Sequence, residues 1–200
     1  MRRTLSGGST LAAAPLINLV VMRHSLQIRA GRASDASRLG VLAIQVWLHT
    51  YATDGITDEI AQYVRSELTV EKFSASLGDP DTCLLVAECG ESLVGFAAVK
   101  FGASCPSDAR AQVELQTLYV QEHFIGQGIG RSLLQAAEAG ARSRSGSSLW
   151  LTVNAQNARA IAFYVRQGYS KIGTTYFLLG EARHENHVLV GVIPPKSKRF

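Results

Sequence analysis

The spacing of apolar positions changes period several times along this chain, and each change marks an element. Leu26, Ile28 and Ala30 alternate with Gln27 and Arg29, which predicts a short first strand. Residues 31–35 turn, with Ser34 or Asp35 as a helix cap. Leu39, Leu42, Ala43, Val46, Trp47 and Thr50 then recur at helical spacing, and Gly55 offers a natural stop. Thr57 or Asp58 caps a second helix with Ile60, Ala61, Val64 and Leu68 on its inner side, and a further helical piece covers residues 70–77. Residues 82–87 and 93–101 read as two strands of a hairpin with Gly90 in its turn.

The middle of the chain carries the strongest pattern. Val113, Leu115, Thr117 and Tyr119 alternate with Glu114, Gln116, Leu118 and Val120, a strand whose two faces contrast only partly. Gly126, Gly128 and Gly130 follow at two-residue spacing, and Leu133, Leu134, Ala137 and Ala141 resume the helical period. A strand, a glycine turn and a helix N-terminus in direct succession make an anion site. The free N–H groups of the first helical turn point at the ligand, and the helix dipole favours negative charge. Glycine matters here because a Cβ would hold phosphate oxygens away from the backbone.

Residues 149–153 form a continuous apolar run suited to an inner strand. Residues 157–167 read as a helix on which Ala160, Ile161, Tyr164 and Val165 group together, ended by Gly168. Residues 169–179 and 186–193 are the last strands, as antiparallel partners. The order predicts an α/β fold: a mixed, mostly antiparallel central sheet with helices on both faces.

Composition narrows the class. An apolar fraction of 46% in 200 residues suits one sizeable core, placed at residues 25–194. Residues 1–24 read as a disordered or misassigned leader, with Met22 an alternative start, and residues 195–200 as a basic tail. The net charge of +4 is mild and its basic residues are scattered, which argues against nucleic acid as a partner. The leading apolar run is too short to span a bilayer, so no membrane association is expected. Cys83, Cys89 and Cys105 form no CxxC pair, and reduced thiols in a cytoplasmic protein are the plain reading. His184 and His187 lack a third ligand nearby in sequence, so no metal is assigned.

Three glycines alone do not name a ligand. A nicotinamide fold places them in the first strand–helix unit, and a nucleotide triphosphatase adds Gly-Lys-Ser or Gly-Lys-Thr; neither pattern is present. What remains is a pyrophosphate held by backbone donors. At this point the chain resembles the GCN5-related N-acetyltransferase (GNAT) superfamily over residues 26–192. Gly128 and Gly130 match the family's strand–helix signature, whereas Ile125 stands where the family usually has Gln or Arg. A second block matches in order and spacing: Trp150 to Val153, Asn157, Ala160, Phe163, Tyr164, Gly168 and Tyr169. Residues 50–56 and 185–188 further resemble a bacterial subgroup, some of whose members acetylate polyamines or other small amines.

The resemblance implies an acyl-CoA N-acyltransferase fold, acetyl-CoA as cofactor and a small-molecule amine as acceptor. Acetyl transfer from a thioester to an amine needs a base, a site for the oxyanion and a proton for the leaving thiolate. Glu114 is the candidate base, acting through water, with a surface glutamate as the plain alternative. Tyr164 is the candidate acid, against a core aromatic beside Phe163. Asn157 holds the pantetheine arm or caps its helix. The backbones of Leu118, Tyr119 and Val120 would bond that arm. Ile125, Gly126, Gln127, Gly128, Ile129, Gly130 and Arg131 would surround the pyrophosphate, Arg131 being equally well read as an exposed helix arginine. Tyr51, Asp54 and Glu114 fall on the acceptor side, with Trp47 either core or pocket. A polyamine pocket should display several carboxylates, for which Asp54, Asp58 and Glu59 are available, although helix N-termini attract acidic residues anyway. A protein or peptide acceptor and a non-catalytic acyl-CoA-binding module are the rival readings. Exposed sheet edges make a homodimer the expected assembly.

Overall fold

The computed structural model describes residues 25–195, so the leader and all but the first residue of the tail lie outside the described residues. Its elements follow the predicted order: Leu26–Ala30 (β1), Ala36–Tyr51 (α1), Asp58–Glu67 (α2), Val70–Gly78 (α3), Thr82–Cys89 (β2), Ser92–Phe101 (β3), Val113–Val120 (β4), Ile129–Ser143 (α4), Ser148–Asn154 (β5), Ala158–Arg166 (α5), Ser170–Leu179 (β6) and Ala182–Val192 (β7). Short 3-10 turns at Ala33–Asp35 and Glu122–Phe124 were not in the pattern. α1 ends at Tyr51, ahead of Gly55, whose φ of 107° belongs to the following loop. Thr57 and Thr69 cap α2 and α3 through their side chains. β7 starts at Ala182 rather than residue 186, because Gly180, at φ 58°, lets the hairpin pair as far as Leu179 and Ala182.

The strands form one seven-stranded sheet in the order β1-β2-β3-β4-β5-β7-β6, with β5 inside as its apolar run requires. Neighbours are antiparallel except β4 and β5. On one face Leu133, Leu134, Ala137 and Ala141 of α4 and Tyr164 of α5 pack on Val94, Val99, Leu115, Leu149 and Leu151. On the other, Leu39, Leu42 and Ala43 of α1 pack on Leu84, Val86 and Phe96.

β4 departs from simple alternation. Against β3, Ala98 faces Thr117 and Val99 faces Leu115, so Gln116 is an extra residue on β4. One inserted residue reverses the phase of a strand. Val113 and Leu115 point into the α4 core, and Leu118 and Val120 point to that same side, while Tyr119 joins the α1 cluster. The face predicted from Val113, Leu115, Thr117 and Tyr119 is therefore two half-faces, which explains its weak contrast.

Asp35 is the N-cap residue of α1, but its side chain bonds no α1 amide and turns back to the Arg32 N–H of the preceding 3-10 turn. Its carboxylate is fully buried and accepts from Arg29 Nη1 at 2.7 Å, Arg29 Nη2 at 3.1 Å, the Arg32 N–H at 2.7 Å and Arg38 Nη2. Arg29 Nε also donates to Glu88 Oε2 at 2.7 Å. The network ties β1, β2 and the start of α1 together. Guanidinium hydrogen bonds hold the Asp35 carboxyl far below the usual carboxylate range, and Arg29 lowers that of Glu88.

Candidate active site

β4 and β5 are in register at a single pair, Glu114 opposite Trp150. Beyond it the two strands diverge. A cleft of about 740 Å³ opens between them, lined by residues 115–119 of β4 and 152–154 of β5. Thr152 is exposed within an otherwise buried strand because the cleft opens at that point. A smaller hollow of about 370 Å³ near Phe101, Arg144 and Ser148 lies at the other end of these strands, away from the glycine turn.

The glycine turn follows the end of β4. Gly126 and Gly128 both adopt φ 82°, a conformation that side chains other than glycine's strain to reach. A Cβ at either position would meet nothing within 4 Å, so the space in front of the turn is free for a ligand. Gly130 is different: it is helical, and a Cβ there would make ordinary contact with Phe163 and Leu118. The Ser132 N–H bonds the Gly128 carbonyl, which leaves the amides of Ile129, Gly130 and Arg131 in the unpaired first turn of α4. The Ile129 side chain is buried in the core, so it can offer only its backbone. Ile125, Gln127 and Arg131 are exposed, and Gln127 Nε2 donates to the His123 carbonyl at 3.1 Å.

Tyr164 reaches the cleft from α5 and is 8% exposed. Burial pushes its phenol well above the ordinary tyrosine value, so it stays protonated at neutral pH. Asn157 sits at the N-cap of α5, where its Oδ1 accepts from the Ala160 N–H at 3.0 Å, and it also lines the cleft. Asn157→Ala should cost about 1 kcal/mol of stability, read in a denaturant titration, as expected for loss of an N-cap.

Glu114 is half-buried and lies just before the cleft wall begins at Leu115. Val113 and Leu115 face α4, so Glu114 faces the side of α1 and α2. Burial raises its carboxyl above the ordinary glutamate value, against a smaller opposing hydrogen bond from Gln116, which does line the cleft.

The far end of the cleft is aromatic. The Trp47 ring lies 5.0 Å from Tyr51 and stacks on Tyr63 at 4.8 Å, and Tyr63 meets Phe177 edge-on at 5.5 Å. His49, Thr50, Thr53, Leu179, His184 and Asn186 line the cleft as well. Among the described residues, no Asp or Glu lines the cleft.

Residues 45–169 match the sequence profile of the Acetyltransferase (GNAT) family. The chain belongs to that family. An uncharacterised N-acetyltransferase of Mycobacterium tuberculosis is 32% identical over 153 residues, covering 76% of this chain and 94% of the relative. The spermidine N(1)-acetyltransferase of Thermoplasma acidophilum is 27% identical over 149 residues, 72% of this chain and 88% of that one. Among solved structures, PaiA N-acetyltransferase from Thermoplasma acidophilum in complex with coenzyme A superimposes with a TM-score of 0.70. That likeness covers 84% of this chain and 99% of PaiA at 23% identity, and it establishes the shared fold.

Within this GNAT framework the structure gathers some predicted residues and separates others. Leu118, Tyr119, Asn157, Tyr164 and Tyr51 line one cleft, and Trp47 is at once core and wall. Val120 and residues 125–131 do not line it; of these, Gly130 lies beside the cleft residue Leu118. Asp54 is exposed and off the wall, and Glu114 reaches the wall only through Gln116. His184 and His187 both lie on β7, where His184 lines the cleft and His187 does not. Sequence reasoning missed Gln116, Thr152, Tyr63 and Phe177. The last two meet only because α2 packs over β6. Asn186 did have a signal, since it lies in the stretch at residues 185–188 that resembles the small-amine subgroup.

Proposed function

We propose that this GNAT transfers an acetyl group from acetyl-CoA to a primary amine of a small molecule. The observation that carries the reading is the continuity of the site. An open glycine turn with free first-turn amides lies beside Leu118, which lines a gap between two diverging strands, and Tyr164 and the rings of Tyr51, Tyr63 and Phe177 line that same gap. The turn and gap suit a pyrophosphate followed by an extended arm, with Gly128, Gly130 and Arg131 at the phosphates and the amides of Leu118 to Val120 along the arm. When bound, acetyl-CoA supplies the activated acyl group as a thioester. Tyr164 holds a proton at the inner part of the cleft for the departing sulfur. Glu114 takes the acceptor's proton through water, and its raised carboxyl value makes it a better base than an exposed glutamate.

The test is free-thiol release from acetyl-CoA by the purified protein across amines, amino acids, aminoglycosides and short peptides. Release that depends on one class supports the reading, and binding of acetyl-CoA without acceptor-dependent release would replace it with a non-catalytic module. Ile125 is the residue that favours that second reading, because the side-chain donor usual at its position is missing.

Glu114→Gln should lower kcat by about 10²-fold. A base works when deprotonated, so wild-type kcat/KM should rise with pH through a carboxyl value above the ordinary glutamate range. In the variant that acidic limb should disappear from the pH–rate profile.

A further inference from the structure

The acceptor end of the cleft has a chemistry that the transfer reaction alone does not demand. Its wall presents the rings of Tyr51 and Tyr63 against Trp47 and that of Phe177 against Tyr63, with Thr50 and Thr53 also lining it. The carboxylates available in sequence are elsewhere. Asp54 and Asp58 are exposed and off the wall. The Glu59 stem packs against Gly180, with its Cγ 2.8 Å from where a Cβ on that glycine would sit. Glu122 is off the wall too, paired at 2.9 Å with Nδ1 of His49, which does line the cleft. A polycation entering this end would have to shed water from several ammonium groups with no carboxylate on the wall to meet them directly.

One polar atom here is unspent. Asn186 Oδ1 is buried and accepts no hydrogen bond from the described residues, yet Asn186 lines the cleft. Its neighbour across the sheet, Asn154, is different, because that side chain already accepts from the Gln156 N–H at 2.8 Å. A buried carbonyl oxygen without a donor is costly unless a ligand or water supplies one. We infer that the acceptor is a primary amine carried on a flat, aromatic skeleton with no second cationic centre, and that Asn186 Oδ1 receives one of its N–H groups. The skeleton lies against Tyr51, Tyr63 and Phe177, and a single ammonium can be held near their ring faces before it loses its proton. This deepens the N-acetyltransferase reading and rests on it.

The experiment compares thiol release with phenethylamine and tryptamine against spermidine and 1,4-diaminobutane, using the full chain and acetyl-CoA. The aryl amines should have kcat/KM values at least about tenfold above either polyamine. Equal or better turnover of spermidine or diaminobutane would overturn the inference. So would failure of both aryl amines in a protein that releases thiol with other amines. Absence of acetyl-CoA binding by calorimetry would instead overturn the underlying reading. Asn186→Leu should raise KM for phenethylamine about tenfold while leaving acetyl-CoA affinity in place, because only the hydrogen bond is lost. Asn186→Asp keeps the shape and adds the missing carboxylate, so it should improve the spermidine to phenethylamine ratio about tenfold. A ratio that does not move in the folded Asp variant would remove Asn186 from acceptor recognition.

Discussion

Replacing Tyr164 by phenylalanine should lower kcat by about 10³-fold while leaving acetyl-CoA affinity within about twofold of wild type. The ring of Tyr164 sits in a packed cluster, 5.1 Å from Phe163 and 5.8 Å from Tyr169, and phenylalanine preserves that packing. What is lost is the phenolic proton, which burial retains on the oxygen at neutral pH. Calorimetry for acetyl-CoA and steady-state kinetics for the amine separate the two roles. Parallel loss of affinity and turnover would show that the tyrosine serves packing alone. A group whose proton is used only at the reacting sulfur affects the chemical step and leaves ground-state binding untouched.

The second large effect lies far from the cleft. Asp35→Asn should destabilise the fold by about 3 kcal/mol, because it leaves buried guanidinium charge short of its partner. For a domain of this size that corresponds to a fall in Tm of roughly 6–12 °C. The side chains of Asp35, Arg29 and Glu88 are 0%, 10% and 15% exposed, so solvent screens the network only weakly. The pH dependence has a definite sign. Both carboxyls titrate lower in the folded chain than in the unfolded one. Their contribution is therefore complete above the unfolded value of about 4 and is lost as pH falls below it. Urea titrations at pH 7 and pH 3 should show wild type losing stability on acidification, and the Asn variant should lose less. An unchanged midpoint at pH 7 would mean that the pair's attraction only offsets its desolvation.

How much of this could be read from sequence follows from the range of each interaction. Leu133, Leu134, Ala137 and Ala141 repeat at the period of one helix and do face one core. The glycine turn was legible for the same reason, since a left-handed backbone at Gly126 and Gly128 is a local requirement. Gln116 was not legible as a bulge. Its extra place exists only relative to β3, where Ala98 and Val99 set the register. Asp35 shows how a sound local rule can find the right position and miss the partner. It stands at the N-cap of α1, but Arg29, six residues earlier in β1, and Arg38 take its carboxylate in place of an α1 amide. The acceptor wall was legible in part, through Tyr51 and Trp47, while Tyr63 and Phe177 are more than a hundred residues apart in sequence and meet only in the folded sheet.

The single register pair between β4 and β5 makes the sheet two leaves joined at one rung. In an ordinary sheet every strand is secured along its length, and a ligand is a visitor to a finished structure. Here β4 beyond Glu114 has no register partner in β5, and a ligand that spans the gap with acceptors of its own would add the rungs the chain omits. Occupancy and mechanical continuity would then be one variable: a protein loaded with such a ligand should be stiffer than an empty one, and its resistance to unfolding should track the ligand's supply.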